Sequence, residues 1–292
     1  MEYSIKDLER LSGIQAHTIR IWEQRYGLLL PNRTDTNIRS YSDYYARKLL
    51  NVTTLIQNGW KISKASKLSQ EEINNEIQKL IESLDIVEGV DTVIVNQIVE
   101  SGMSLSEAAF EKAFSSALVK YGIRDSYLKV IYPTLVKVGL MWSKDDVVPI
   151  QEHFITNLIK QKLFSAIDAL PYQNKEKGSW LLFLPEGEHH ELGLLMANYI
   201  LKEKGYKVVY LGGNVPMDDL INVVSEGGID NLLMFAVARQ TVASVSSLVA
   251  DLGALTNDYQ LWIAGNFENE LIEELKGNVN FVHDFNEFVK QN

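Results

Sequence analysis

Between residues 177 and 266 four short apolar runs recur at helix-length intervals: KGSWLLFLP, KGYKVVYLGG, IDNLLMFAV and YQLWIAGN. GNVNFV and a last short helical segment complete the set. Strands alternating with helices fold into a parallel, doubly wound sheet, because a crossover helix is what joins parallel neighbours. Such sheets take ligands at the carboxyl ends of their strands. The chain leaves the first run as PEGEHHELG, residues 185–193, so two of its five histidines stand side by side between carboxylates at that edge.

Metal chemistry makes the segment intelligible. A neutral imidazole is a good cobalt ligand, and a carboxylate two residues earlier can accept the other ring N–H, fixing the tautomer and raising basicity. In Glu188-x-His190-x-x-Gly193 the glycine removes a side chain where a ligand must approach the backbone closely. Zinc fits poorly: consecutive residues do not easily converge on one tetrahedral ion, and the chain has no cysteine. The ordinary alternative is a structural histidine.

At 292 residues, 46 % of them hydrophobic, the chain is long enough for two or three domains. Lacking a signal-like start, an apolar stretch of membrane-spanning length and any cysteine, it reads as a cytosolic protein without a membrane span. The net charge of −10 is uneven: residues 1–70 carry eleven Lys/Arg against six acids, and the rest carries −15. A basic head on an acidic body is the asymmetry expected when only the head meets a polyanion, although an ordinary solvated surface gives the same balance.

Local order in the head favours the first reading. YSIKDLERLSG offers a Ser4–Asp7 cap and an Ile5, Leu8, Leu11 stripe that stops at Gly13. IQAHTIRIWEQRYG resumes at once, with Ile14, Ile19 and Ile21 or Trp22 available to pack and Gly27 at its end. Two short helices around a tight turn read as helix-turn-helix, the second presenting His17, Thr18, Arg20 and Arg25 to a major groove. LLLPNRTDTNIRSYS follows as a phosphate-gripping wing with Arg33, Arg39 and Tyr41, and a helix from about 43 to 57 closes the unit.

Further on, Ser69 and Glu72 cap a connecting helix. Ser104 and Glu107 repeat the signal before a Phe110, Ala113, Phe114, Ala117, Leu118, Tyr121 stripe that Gly122 ends. Helices from about 125 to 142, bent if anything by Pro133, and from about 149 to 170 follow, so that four short-connected helices make a bundle. The expected organisation is a head over 1–70, a connecting helix over 71–87, a four-helix bundle over 88–172 and a Rossmann-like domain over 178–292, a multidomain α and α/β fold. MWSKDDVVPIQEH brings Trp142, Glu152 and His153 to one end of the bundle.

Three resemblances attach to these strings. The head closely resembles the winged helix-turn-helix of MerR-type regulators, with Thr-Ile-Arg, aromatic, Glu, then Gly-Leu, Pro and an Arg-rich wing ending Arg-x-Tyr. That implies DNA contacts by Thr18, Arg20, Arg33, Arg39 and Tyr41, and a dimer on a palindromic operator. Trp142 followed after nine residues by Glu152-His153 resembles the helical cap of cobalamin-dependent light-responsive repressors of the CarH/LitR type, where the Trp and the acid line a pocket over the corrin. Glu188-x-His190-x-x-Gly193 resembles the cobalamin fingerprint Asp/Glu-x-His-x-x-Gly. There the His ligates cobalt from below and displaces the cofactor's own base into a groove in the sheet.

The resemblance assigns Gly212, Thr241 and Gly265 to the cofactor as well, and leaves His189 a bystander. Ala236-Val-Ala-Arg-Gln-Thr241 and Ala264-Gly265 depart from the Ser-rich turn and Gly-Gly pair of the family. Ser143 stands where a His commonly takes the upper cobalt position after photolysis. Together these imply a non-enzymatic regulator with adenosylcobalamin, or else methyl- or hydroxocobalamin, as chromophore. Its partners are then operator DNA and its own copies, as dimer or tetramer. A corrinoid carrier of a methyltransferase system and a MerR-type sensor of another ligand are the alternatives.

Overall fold

The computed structural model describes residues 2–12, 14–33, 39–84, 90–143, 149–171, 177–236, 242–253, 259–265, 272–273, 275, 279–282 and 288. The chain divides into two compact units, Met1–Ile159 and Lys160–Asn292. Among the described residues no helix is long and apolar enough to cross a membrane.

The first unit opens with strand β1 (Glu2–Ser4), helices α1 (Ile5–Ser12) and α2 (Ala16–Tyr26), then strands β2 (Asn32–Arg33) and β3 (Arg39–Ser42). The three strands form an antiparallel sheet in the order β1-β3-β2, so the wing is held against the chain's own start through Tyr3 and Tyr41. The Ser4 hydroxyl accepts from the Asp7 N–H, and the Asp7 carboxylate accepts from the Ser4 N–H, a reciprocal cap on α1. Gly27, with φ 61°, ends α2 as its N–H turns back to the Glu23 carbonyl. Between the two packing candidates on α2, Trp22 is buried and Ile21 is exposed.

Helices α3 (Asp43–Gln57), α4 (Ile62–Ala65) and α5 (Gln70–Leu84) follow. Leu8, Ile19, Trp22, Leu49 and Leu55 share one core with Ile73 and Ile77 of α5, so the connecting helix is part of the head's packing. Glu72 accepts the Ser69 N–H and hydroxyl, which together hold its carboxyl below the usual range.

Helices α6 (Thr92–Met103), α7 (Glu107–Ser126), a π-helical turn (Tyr127–Ile131), α8 (Tyr132–Ser143) and α9 (Pro149–Asp168) make up the helical part, and the unit boundary falls inside α9. One expectation is corrected here. The α7 cap is Ser106, whose hydroxyl accepts the Ala109 N–H, whereas Ser104 closes α6. Gly122 ends the first helical stretch as expected, its backbone non-helical at φ 72°, and a second helical stretch follows it. The distortion expected of Pro133 is present as the π turn just ahead of it. Proline has no N–H for the Lys129 carbonyl four residues back, and that carbonyl accepts the Asp91 N–H at 3.0 Å instead.

The second unit holds all five expected strands, β4 (Ser179–Pro185), β5 (Lys207–Val215), β6 (Asn231–Ala236), β7 (Gln260–Gly265) and β8 (Asn280–Val282). They are parallel, in the order β5-β4-β6-β7-β8. Helices α10 (Leu192–Glu203), α11 (Met217–Ser225) and α12 (Val242–Gly253) join the strands. Every residue of β4 is buried, as a strand covered on both faces requires. One apolar cluster, with Leu181, Phe183 and Leu232, includes α11 and α12; the other, with Trp180, Leu182 and Phe235, includes α10. Connections run from β4 outward to β5 and then back to β6, so the switch point lies between β4 and β6.

Candidate functional site

The turn after β4 stands at that switch point. Glu186 and Gly187 reverse the chain, with Gly187 at φ 82° and the Glu188 N–H donating to the Pro185 carbonyl at 3.0 Å. The Glu188 side chain is thereby tucked inside, fully buried. Its Oε1 accepts the backbone N–H of His189 at 2.8 Å and of His190 at 2.9 Å, and meets His190 Nδ1 at 2.6 Å. An ionised carboxylate only accepts, so Nδ1 carries the hydrogen and a neutral ring leaves its lone pair on Nε2. The His190 side chain is 62 % exposed. His189 is exposed and joins the turn through its backbone.

Glu191, the next residue, is tied on both oxygens: the Tyr210 hydroxyl donates to one at 2.7 Å and Lys160 Nζ lies 3.2 Å from the other. Burial first, and the Glu191 carboxylate second, push the Tyr210 phenol far up. A side chain at Gly212, φ 78°, would sit 3.2 Å from Glu191. Gly193, expected to allow close ligand approach, lies against Phe235. A Cβ there would lie 2.6 Å from the Phe235 ring, so the glycine lets α10 settle on β6. Gly265 ends β7 opposite Ala236, at the same carboxyl edge of the sheet. Thr241 lies outside the described residues.

Among the described residues no three His, Asp or Glu side chains gather as a metal cage. The turn offers a single nitrogen. That donor set suits a metal whose remaining positions are filled by its own macrocycle, and in this respect the residues fit a corrinoid.

In the first unit, Trp142 lies in the last turn of α8 and Glu152 and His153 in the first turn of α9; residues 144–148 between them are outside the described set. The half-buried Glu152 accepts the Thr156 hydroxyl at 2.7 Å and lies 3.4 Å from His153 Nδ1, whose ring is 72 % exposed.

On the head, α2 displays His17, Arg20, Ile21, Gln24 and Arg25, while Ile19 and Trp22 face inward. Thr18 is half-buried, its hydroxyl 3.2 Å from His17 Nε2. Gln24, which the sequence reading does not single out, is exposed one turn beyond Arg20. Arg33 pairs with Arg39 across the wing. Tyr41 is a correction to the expected DNA contacts: its side chain is fully buried and its hydroxyl donates to Glu23 Oε2 at 2.9 Å, so the ring does not face outward. Burial and then Glu23 hold that phenol well above its usual range. Arg39 lies 3.4 Å from the other Glu23 oxygen.

The model for MerR HTH family regulatory proteins matches residues 3–72, and that of a B12 binding domain matches residues 94–165. The HTH-type transcriptional repressor CarH of Myxococcus xanthus is 28 % identical over 267 residues, covering 90 % of this chain and 88 % of the repressor. The similarity to this repressor thus runs over most of both chains. The repressor CarA of the same organism is 29 % identical over 225 residues, covering 74 % of this chain and 70 % of CarA. Both relatives are HTH-type transcriptional repressors. In fold it is similar to the monomethylamine corrinoid protein of Methanosarcina barkeri, with a TM-score of 0.58 at 17 % identity over 69 % of this chain and 98 % of that one.

Proposed function

We propose that the chain is a DNA-binding repressor that senses light through bound adenosylcobalamin, photolysis changing its oligomeric state and releasing operator DNA. The observation that carries this reading is the His190 imidazole, held at Nδ1 by a fully buried carboxylate and mostly exposed on the edge of the sheet where ligands bind. The two domain matches support the pairing of an operator reader with a corrinoid sensor, and the two named repressors support the direction of control.

His190 would supply a nitrogen to the cobalt, with Glu188 fixing its tautomer and keeping the ring basic. When bound, the cofactor supplies a cobalt–carbon bond that light cleaves. Trp142, Glu152 and His153 in the bundle, and Gly212, Thr241 and Gly265 in the sheet domain, are assigned to the cofactor by the family resemblance. In the head, His17, Thr18 and Arg20 are assigned to base edges and Arg33 and Arg39 to phosphates, each protomer reading half of a palindrome. A corrinoid carrier of a methyltransferase would share the sheet domain, but it leaves residues 3–72 without a role.

The test is reconstitution in the dark. Protein loaded with adenosylcobalamin should shift operator DNA and elute as a larger species, and illumination should reverse both; His190→Ala should load poorly. Operator binding that ignores cofactor and light alike would return the chain to the general class of MerR-type sensors.

A further inference from the structure

The turn that presents His190 is held from outside as well as from within, and the outside hold comes from one residue of β5. The Asn214 N–H donates to the Glu188 carbonyl at 3.2 Å, and the Asn214 side-chain oxygen accepts the Gly187 N–H at 2.9 Å. Both groups flanking the Gly187–Glu188 step are therefore tied to the same side chain and peptide. Asn214 makes the pair of bonds at φ 57°, in the left-handed region, where asparagine is better tolerated than other residues with a Cβ. The strand pairing is irregular at this point, with register shifts between Leu182 and Phe183 and between Phe183 and Pro185. Asn214 thus sits where β5 departs from the ladder, and it bonds to the turn after β4. Twenty-seven residues separate it from Gly187, so no local pattern announces the contact.

We propose that Asn214 is a positioning residue for His190. Its two hydrogen bonds fix the Glu188 backbone, the buried Glu188 carboxylate fixes His190 Nδ1, and the ring nitrogen Nε2 is thereby aimed. This rests on His190 being the cobalt ligand. A ligand nitrogen has to be held to within about 0.5 Å to bond well, and a turn released on one side no longer holds it so. Loss of an outer partner of a metal ligand costs about tenfold or more in affinity.

The experiment uses the full-length chain, labelled uniformly with nitrogen-15 and loaded with cobalamin reduced to Co(II). A protein nitrogen on cobalt then splits the electron paramagnetic resonance lines into doublets, while the cofactor's own unlabelled base gives triplets. The parent should show doublets. Asn214→Gly keeps the left-handed backbone and loses the acceptor; it should mix triplets into the spectrum and bind about tenfold more weakly. Asn214→Asp keeps an acceptor oxygen and should restore doublets and affinity. The apoproteins give a second reading: ring nitrogen shifts of His190 should report one tautomer, hydrogen on Nδ1, in the parent and Asn214→Asp, and a mixture in Asn214→Gly. An Asn214→Gly protein with parental spectrum, affinity and tautomer overturns the inference, and so does an Asn214→Asp protein that fails alongside it. Triplets in the parent would overturn His190 as ligand and this inference with it.

Discussion

At the scale of single residues, the His190 turn is the most legible part of the chain, because its chemistry is local. Glu188 reaches the two following N–H groups and the ring two residues on, all within a single turn, so spacing alone anticipates the contact. Glu188→Ala should weaken cobalamin binding about ten- to a hundredfold, measured by absorbance titration, since it removes the partner that orients the ligand. His189→Ala should change little. Tyr41 shows the opposite case. Its burial is decided by β1, nearly forty residues away, and by Glu23, so its place in an Arg-x-Tyr string says nothing of which way the ring faces. Tyr41→Phe should therefore cost about 1–2 kcal/mol of stability in a thermal melt, with operator affinity of the folded protein retained. A loss of affinity without loss of stability would put the hydroxyl on DNA after all.

Elements are legible where an apolar period is long and continuous. β4 reads plainly because all seven of its residues are buried, and α7 because Phe110, Ala113, Phe114 and Ala117 keep helical spacing. β1 does not read, since three residues gain strand character only from pairing with β3. The choice between Ser104 and Ser106 as cap is likewise beyond a local pattern. Both residues precede the stripe, and the end of α6 takes the first. Asp91 decides how α6 begins: its carboxylate accepts the Ile94 N–H, the Lys120 ammonium at 2.7 Å and the Tyr121 hydroxyl at 2.9 Å. Burial pushes its carboxyl up, but those bonds outweigh it and hold the group below the usual aspartate range. A depressed carboxyl stabilises the fold above the unfolded value, near pH 4, and that stability is lost as pH falls through the folded value. Asp91→Asn should thus lower the melting temperature at neutral pH and flatten its fall below about pH 4.

For the whole molecule, the sequence separates a basic head from an acidic remainder, and the matched regions follow that order, 3–72 and then 94–165. Charge alone predicts that operator binding falls steeply with salt, through release of counterions from the phosphates. Within the head, Arg20 projects from α2 into solvent, while Arg39 lies beside Glu23 at the wing. Arg20→Ala should lower affinity and relax sequence preference, whereas Arg39→Ala should lower affinity more evenly across sequences and reduce the salt slope, because phosphate contacts position and base contacts specify. Light should act on a different quantity. If illumination dissociates an assembly whose heads grip one operator together, each head keeps its intrinsic affinity and only the effective concentration of the second head is lost. That loss can exceed a hundredfold without altering any protein–DNA contact. Gel shifts should therefore show illuminated protein binding a single half-site as well as dark protein does, while its advantage on the full palindrome disappears. In His190→Ala the two forms should bind the palindrome alike. A drop in half-site affinity on illumination would instead mean that the signal reaches the head itself, and the change of oligomeric state would not be the cause of release.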